Sequence, residues 1–247
     1  MTDFCHDDEL AYRRSRTPSS PGEGLALDEP YRLAHLPLVA PAHPDVIAAK
    51  PGRSYDMGRH ERIFSLVLPV PHEALAASEG YQALEAELRA APFAHKLAWD
   101  ILPRRAAKLH ATICGSLSRD TPPVIGDAAR RALAAIGPVT VELRGLFSGN
   151  VNVGRLYLRA YPERRAGRNA FHALQEAMGR PTTDLYVMGL HNLVDHLDAH
   201  EAAALGTLIE RWWDRPILRW TAGSLWVLGA SDDLVLDGRV VEEIALG

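Results

Sequence analysis

The residues best suited to chemistry lie in the segment LHATIC, at Leu109–Cys114. If this segment is a β-strand, alternate side chains share a face, so His110, Thr112 and Cys114 point the same way. The imidazole and the hydroxyl then lie roughly 6–7 Å apart on one surface. Such a pair can hold a phosphoryl oxygen through the hydroxyl while the imidazole moves a proton at the reacting oxygen. An incidental polar strand face has the same spacing, and the pattern alone leaves both interpretations open.

A second histidine, His191, lies in the apolar segment DLYVMGLHNLV. With LHAT at Leu109–Thr112 and GLHNL at Gly189–Leu193, the chain resembles the 2H phosphoesterases, the 2′-5′ RNA ligase and cyclic phosphodiesterase group. The resemblance extends over roughly residues 63–247. It implies two similar α+β lobes, each contributing one His-x-Thr/Ser strand to a central cleft.

The resemblance also implies a function and a set of site residues. The activity would be metal-independent, without a cofactor, on 2′,3′-cyclic or 2′,5′-linked nucleotide or RNA phosphodiesters. His110, Thr112 and His191 would be catalytic. The two histidines would flank one phosphate, one taking a proton and the other giving one, with the roles unassigned.

The second motif departs from the family pattern, because Leu193 stands where a hydroxyl is expected. On a regular strand Asn192 faces the other side, and a β-bulge would turn its amide toward the cleft. Loss of one preorganised donor costs about 3–4 kcal/mol at a transition state. The alternative is therefore a non-catalytic nucleotide- or RNA-binding relative that kept the cleft.

A basic and aromatic strand face is predicted in GRLYLRAY, where Arg155, Tyr157 and Arg159 alternate with apolar residues. This face suits a phosphate and a stacked base, so these three residues and Asn192 are candidates for substrate binding. A solvated outer sheet face would show the same alternation, and that interpretation stays open.

Neither a metal site nor a cysteine nucleophile is expected. His191, His196 and His200, with Asp195 and Asp198, contain ligand types for a metal but no established ligand spacing, so we expect no metal. Cys114 and His110 would lie about 13 Å apart along a strand, too far for a nucleophile and its base, and we expect Cys114 to be packed.

The strands and helices that would position these residues alternate along the chain. Strands are predicted at Ile63–Val70, Lys108–Leu117, Val139–Phe147, Gly154–Tyr161, Leu185–Val194, Leu225–Leu228 and Val240–Leu246. Helices are predicted at Ser78–Ala91, Ile125–Ile136, Asn169–Met178 and Asp198–Trp213. Hairpins mixed with crossover helices predict an α+β fold of mostly antiparallel sheet with helices outside.

Residues 1–59 are expected to form a poorly ordered or loosely packed segment, with few core contacts from Met1–Gly24, before a bilobal domain at 60–247. Arg13–Gly24 is rich in Arg, Ser, Pro and Gly, which bury little. The net charge of −4 disfavours a general nucleic-acid binder, and no DNA partner is expected. Two distant cysteines and no signal or membrane segment predict a cytoplasmic protein. A monomer is expected, and the resemblance implies a small nucleotide or RNA end as its substrate.

Overall fold

Apolar strands spread along the chain meet in one sheet. The structure is a computed structural model that describes residues 2–18, 20–52 and 54–247. Its strands are β1 (Tyr55–Asp56), β2 (Arg59–Pro69), β3 (His110–Arg119), β4 (Val139–Ser148), β5 (Arg155–Pro162), β6 (Arg164–Arg165), β7 (Arg168–Asn169), β8 (Val187–Asn192), β9 (Pro216–Ala222), β10 (Ser224–Asp232) and β11 (Gly238–Ala245).

The helices lie mostly between these strands in sequence. They are α1 (Pro30–His35), α2 (His72–Ala77), α3 (Glu79–Ala90), α4 (Ile101–Arg105), α5 (Asp127–Ile136), α6 (Ala170–Ala177) and α7 (Ala199–Trp212). Short 3₁₀ turns occur at Arg13–Ser15, Leu36–Leu38, Ala94–Lys96 and Ala106–Lys108. Among the described residues no helix has the length and apolar composition needed to cross a bilayer.

The sheet is antiparallel and runs in the order β11-β10-β2-β3-β8-β5-β4-β9, with β1 added to β2. Strands β3 and β8 lie innermost, and each ends a four-stranded half. Ala111 of β3 pairs with Met188 of β8 where the halves meet. Strands β6 and β7 form a separate hairpin. The α+β class predicted from the sequence is confirmed.

Helix ends follow the local signals in the sequence. The Ser78 hydroxyl accepts from the backbone N–H of Tyr81 and caps α3, whose Leu84 and Leu88 are buried one turn apart. Asp198 and Glu201 form the predicted capping box of α7. Helices α3, α6 and α7 pack against β9, β3 and β4. These contacts bury the apolar faces of the helices on the sheet.

Helices α1, α2 and α4 and strand β9 have no counterpart among the predicted elements. The three helices have five or six residues each, too few for a helical period to be read. Strand β9 lies at a sheet edge and buries only Ile217 and Ala222, so its alternation is weak. Short or half-buried elements therefore escape pattern analysis.

The N-terminal segment packs into the core, which corrects the expectation of few core contacts from Met1–Gly24. Phe4, Cys5, Leu10 and Tyr12 belong to the main core cluster. The Tyr12 hydroxyl donates to the carbonyl oxygens of Ala160, at 2.6 Å, and Tyr186, at 2.9 Å. The apolar residues that flank the polar Arg13–Gly24 stretch outweigh its composition. The boundary at residues 59 and 60, as a limit of independent folding, stays a prediction.

Candidate functional site

A cleft of about 830 Å³ lies over the central strands of the sheet. Alternate residues of five strands face it, because side chains of period two share a face. The residues of these strands that line it are His60, Glu61, Ile63, Ser65, Val67, His110, Thr112, Arg119, Arg155, Tyr157, Val187, Gly189, Leu228, Ala230 and Asp232. Tyr31, His35, Lys50 and Tyr55 add a wall from the N-terminal segment. The cleft therefore draws on both halves of the sheet and on the segment predicted to be loose.

His110 and Thr112 both line this cleft, while Ala111 between them is buried in the core. The His110 Nδ1–H donates to the carbonyl oxygen of Lys108 at 2.7 Å, which leaves the lone pair on Nε2. Burial lowers the pKa of His110 to about 4, and the charges of Arg105 and Arg155 act in the same direction. The imidazole is neutral at pH 7 and is suited to accept a proton or a hydrogen bond.

Cys114 does not share the face of His110 and Thr112. Val67 pairs with Thr112, and Leu66 pairs with Cys114, so Ile113 is an extra residue on β3. This bulge turns the Cys114 thiol into the core, where it is 3% exposed. The expected common face is wrong for Cys114, whereas the expectation of a packed thiol is confirmed.

His191 does not reach the cleft within the described residues, which corrects the prediction that two histidines flank one phosphate. Tyr157 pairs with Gly189 and Leu156 pairs with His191, so Leu190 is an extra residue on β8. The bulge places His191 on the face of the buried Leu156. The His191 ring is 1% exposed and lies edge-on to Trp99, with ring centroids 4.8 Å apart.

Asn192 shifts the other way at the same bulge. It pairs with Arg155, whose side chain lines the cleft, so the hypothesis that a bulge turns Asn192 toward this face agrees with the register. Its side chain is fully buried, and its amide atoms have no hydrogen-bond partner in the described part of the chain. Leu193 is also fully buried. Asn192 is therefore beneath the cleft surface rather than on it.

The positions on β8 that correspond to His110 and Thr112 are Val187 and Gly189. Because Ala111 and Met188 pair across an antiparallel junction, a rotation of 180° about that pair relates His110 to Val187 and Thr112 to Gly189. Both Val187 and Gly189 line the cleft. The second half thus offers neither an imidazole nor a hydroxyl at these two positions.

Two arginines occupy the space that a side chain at residue 189 would fill. A Cβ atom built on Gly189 would lie 2.5 Å from Nη2 of Arg155 and 3.1 Å from Nη2 of Arg105. Arg105 Nη2 donates to the Gly189 carbonyl oxygen at 2.6 Å. Glycine at this strand position therefore lets two guanidinium groups lie over the backbone of β8.

A third guanidinium group, from Arg32 of α1, donates to the Leu193 carbonyl oxygen. Arg32, Arg105 and Arg155 are 1%, 4% and 8% exposed. Burial, followed by the charge of Arg155, lowers the pKa of Arg32 to about 10 and that of Arg105 to about 9. Neither Arg32 nor Arg105 was predicted from the sequence, because neither belongs to a motif. Arg32 lies in the segment predicted to be loose, and Arg105 lies in a short helix that was not predicted.

Asp233 is the carboxylate that pairs with Arg155 in this cluster. It also accepts from the Tyr31 hydroxyl at 2.9 Å. Burial is the largest influence and opposes its ionisation, but Arg155, the hydrogen bond from Tyr31 and the other nearby positive charges together place the pKa of Asp233 below its ordinary value. The ion pair fixes Arg155 in the wall of the cleft.

Arg159 lies outside the cleft, so its prediction as a substrate-binding residue is wrong. Its guanidinium group is fully buried, 3.7 Å from the ring centroid of Trp213, and donates to the Tyr161 hydroxyl. Asp7 of the N-terminal segment lies 3.4 Å away. The predicted face of β5 is divided: Arg155 and Tyr157 line the cleft, whereas the N-terminal segment covers Arg159.

His196 joins His43 and Asp45 rather than His191 and His200, with ligand atoms within 4.8 Å of one another. The Nδ1 atoms of His43 and His196 accept from the backbone N–H groups of Asp45, at 3.2 Å, and Leu27, at 2.9 Å. Each Nε2–H therefore points at a carboxylate, Asp195 or Asp45. A metal would need lone pairs that these bonds already use, so the cluster is a polar tie between the N-terminal segment and the end of β8.

Comparisons with known proteins do not identify a family for this chain. No family model and no curated protein sequence matches the chain. Among solved structures the chain is similar to that of E. coli LigT complexed with ATP, at 14% identity and a TM-score of 0.35. The match covers 76% of this chain and 99% of that one. Similarity at this level assigns neither a family nor a function.

Proposed function

We propose that the cleft binds nucleotides or RNA ends through a phosphate group. The observation that carries the proposal is the pair of buried guanidinium groups of Arg105 and Arg155 that line the cleft with the carboxylate of Asp233. A buried charge without a partner costs several kcal/mol, so such a cluster favours an anion. Arginine suits phosphate because its planar fork donates parallel hydrogen bonds to two oxygens.

The nucleotide part of the ligand is supported by the resemblance at Leu109–Thr112 and by aromatic rings around the cleft. Tyr31, Tyr55 and Tyr157 line it. Base stacking on an aromatic side chain contributes about 1–3 kcal/mol and tolerates any base. A ligand with a phosphate at the arginines and a base at a tyrosine would use both features.

Binding is favoured over two-histidine turnover because the acid and the base are not brought together. His110 is neutral, and the facing positions on β8 are Val187 and Gly189. His191 packs against Trp99 on the other face. General acid–base catalysis needs a group within hydrogen-bond reach of each proton it moves.

A second candidate is metal-independent phosphodiester hydrolysis with His110 as the one base. The free lone pair of its Nε2 atom supports this candidate. Water would lose a proton to Nε2 as its oxygen attacks phosphorus, and the leaving ribose oxygen would take a proton from solvent. Arg105 and Arg155 would stabilise the charge on the phosphoryl oxygens.

Calorimetric titration with adenosine 3′-monophosphate tests the binding proposal. We expect saturable binding by the full chain, weakened at least tenfold in the double variant Arg155→Gln/Asp233→Asn. The double variant removes both members of the ion pair, so that it leaves no unpaired buried carboxylate. Arg168→Gln is the matched control, since the Arg168 side chain is 68% exposed and pairs with Glu176. Absence of binding at millimolar ligand, or equal loss in the control, would contradict the proposal.

A turnover assay on 2′,3′-cyclic nucleotides with EDTA separates the two candidates. Hydrolysis that persists in EDTA and disappears in His110→Ala supports the single-histidine enzyme. Ligand binding without hydrolysis supports the binder. Hydrolysis that requires an added divalent metal would contradict both.

A further inference from the structure

The charges of the side chains that line the cleft do not balance. In the described part of the chain five positive side chains line it against three carboxylates, which leaves two positive charges without a fixed partner. The positive residues are Lys50, Arg105, Lys108, Arg119 and Arg155, and the negative ones are Glu61, Asp232 and Asp233. His110 adds no charge at neutral pH, and burial keeps Tyr31 and Tyr157 in their neutral forms by raising their pKa values.

We infer that this site selects a phosphate monoester dianion, such as a nucleotide or RNA end with a 2′- or 3′-phosphate, over a phosphodiester monoanion. The inference rests on the proposed function and adds the charge state of the ligand. A terminal monoester carries close to two negative charges above pH 7, and a cyclic diester carries one. The dianion therefore matches the two unbalanced charges, whereas the diester leaves one positive charge uncompensated.

The guanidinium groups have donors to spare for such a ligand. The Nε atoms of Arg105 and Arg155, the two arginines over Gly189 in the cleft, are buried and lack a hydrogen-bond partner among the described residues. Arg105 and Arg155 lie side by side over Gly189, as the positions of their Nη2 atoms around that residue show. Two adjacent forks suit a group with three terminal oxygens better than a diester with two.

His110 provides an independent reason for the same selection. Because its Nδ1–H is held by the Lys108 carbonyl, its Nε2 atom is an acceptor and disfavours direct contact with a phosphate oxygen. A 3′-phosphate leaves the neighbouring ribose 2′-hydroxyl free to donate to Nε2. In a 2′,3′-cyclic phosphate both ribose oxygens are esterified, so that no such donor exists.

Calorimetry on the full, unmodified chain tests the inference with two ligands that share one base. At pH 7.5 we expect adenosine 3′-monophosphate to bind at least tenfold tighter than adenosine 2′,3′-cyclic monophosphate. Lowering the pH to 5.5 protonates the monoester, whose second pKa is about 6, and should weaken its binding about fourfold. Binding of the cyclic ligand should not change, and it reports any titration of the protein itself.

Variants separate the contributions of charge and of the hydroxyl. Arg105→Gln should reduce the tenfold preference, and Arg105→Lys should retain it, because lysine keeps the charge. Deoxyadenosine 3′-monophosphate lacks the 2′-hydroxyl, so it should bind to the natural chain more weakly than adenosine 3′-monophosphate does. The two ligands should bind to His110→Ala with equal affinity. His60 of β2 also lines the cleft, and repeating the pH series in His60→Gln shows whether this imidazole contributes to the pH dependence. His35 lines the cleft too, and burial lowers its pKa.

The outcomes distinguish the two levels of the proposal. If neither ligand binds, the proposed function fails. If both bind and the cyclic ligand binds equally or more tightly, or if monoester affinity is the same at pH 5.5 and 7.5, the charge selection is overturned while phosphate binding stands. The wild-type titrations do not depend on the folding of any variant.

Discussion

Gly189 determines what the second half of the sheet presents to the cleft. On β3 the corresponding position holds Thr112, a side chain that can donate to a ligand. At Gly189 the missing side chain admits the ends of Arg105 and Arg155 instead. The site therefore has a neutral histidine and a hydroxyl on one side and two fixed positive charges on the other.

Gly189→Ala should displace the guanidinium groups and weaken phosphate binding at least tenfold, or about 1.4 kcal/mol. The added Cβ would contact flexible side-chain ends rather than backbone, so the midpoint of urea unfolding should change much less than the affinity. Gly126→Ala is the matched control, because a Cβ atom there meets nothing within 4 Å. An equal loss of calorimetric affinity in the two variants would contradict this role of Gly189.

His191 is a buried polar group whose ring nitrogens have no hydrogen-bond partner among the residues described. Burial lowers its pKa to about 4, well below its ordinary value near 6.5. The unfolded chain then binds more protons than the folded chain between these pH values, so stability falls as the pH drops through this window. His110, lowered to a similar pKa, acts in the same direction.

His191→Leu should therefore stabilise the fold, and most at acidic pH. Above pH 7 the gain is the removed cost of an unsatisfied buried group, about 1–3 kcal/mol. Between pH 6.5 and 4 the variant also avoids an acid destabilisation of at most about 3 kcal/mol. Urea unfolding from pH 4.5 to 8 measures both effects, with the exposed His200→Leu as control. A variant less stable than the natural chain at every pH would indicate a structural role for the imidazole.

At the scale of elements, the sequence located most strands and helices but not the faces of the two central strands. Regular alternation predicted Cys114 beside Thr112, and the resemblance implied His191 in the cleft. One extra residue in each strand reverses both assignments. A bulge depends on the partner strand, which local pattern does not contain. Gly189, a glycine inside a strand pattern, was the available signal for the bulge on β8.

The arginines of the site were beyond prediction for a related reason. Arg32 and Arg105 come from two short helices that are far apart in the sequence. Arg105 donates to the Gly189 carbonyl of β8, and Arg32 donates to the carbonyl of Leu193, just after that strand. Nothing in their neighbours distinguishes them from surface arginines. His110, Thr112, Arg155 and Tyr157 were identified because strand alternation fixes their common exposure.

At the scale of the whole molecule, the N-terminal segment closes the structure on two sides. Tyr12 bonds the backbone of β5 and the residue before β8, and Leu25 pairs with Leu197 beyond β8. The same segment contributes Tyr31 and Lys50 to the cleft wall. The segment is thus part of both the core and the candidate site.

Deletion of residues 2–24 should lower the melting temperature by many degrees, because it uncovers the core around Tyr12 and Phe147. Tyr12→Phe is the finer test. It keeps the ring and removes the hydroxyl that two buried carbonyl groups share, which should cost about 1–3 kcal/mol. Differential scanning calorimetry of both forms measures these changes. An unchanged melting temperature after the deletion would support the prediction that the segment is loosely packed.

Tyr12 forms its hydrogen bonds with residues that are synthesised much later than Tyr12 itself. Its partners Ala160 and Tyr186 lie 148 and 174 residues further along. At about 5–20 residues per second, a ribosome needs roughly 10–35 s to add the residues between Tyr12 and Tyr186. During that interval Phe4, Leu10 and Tyr12 have no native surface to cover them. These residues are synthesised well before the strands that bury them, so their apolar side chains stay uncovered until β8 has left the ribosome.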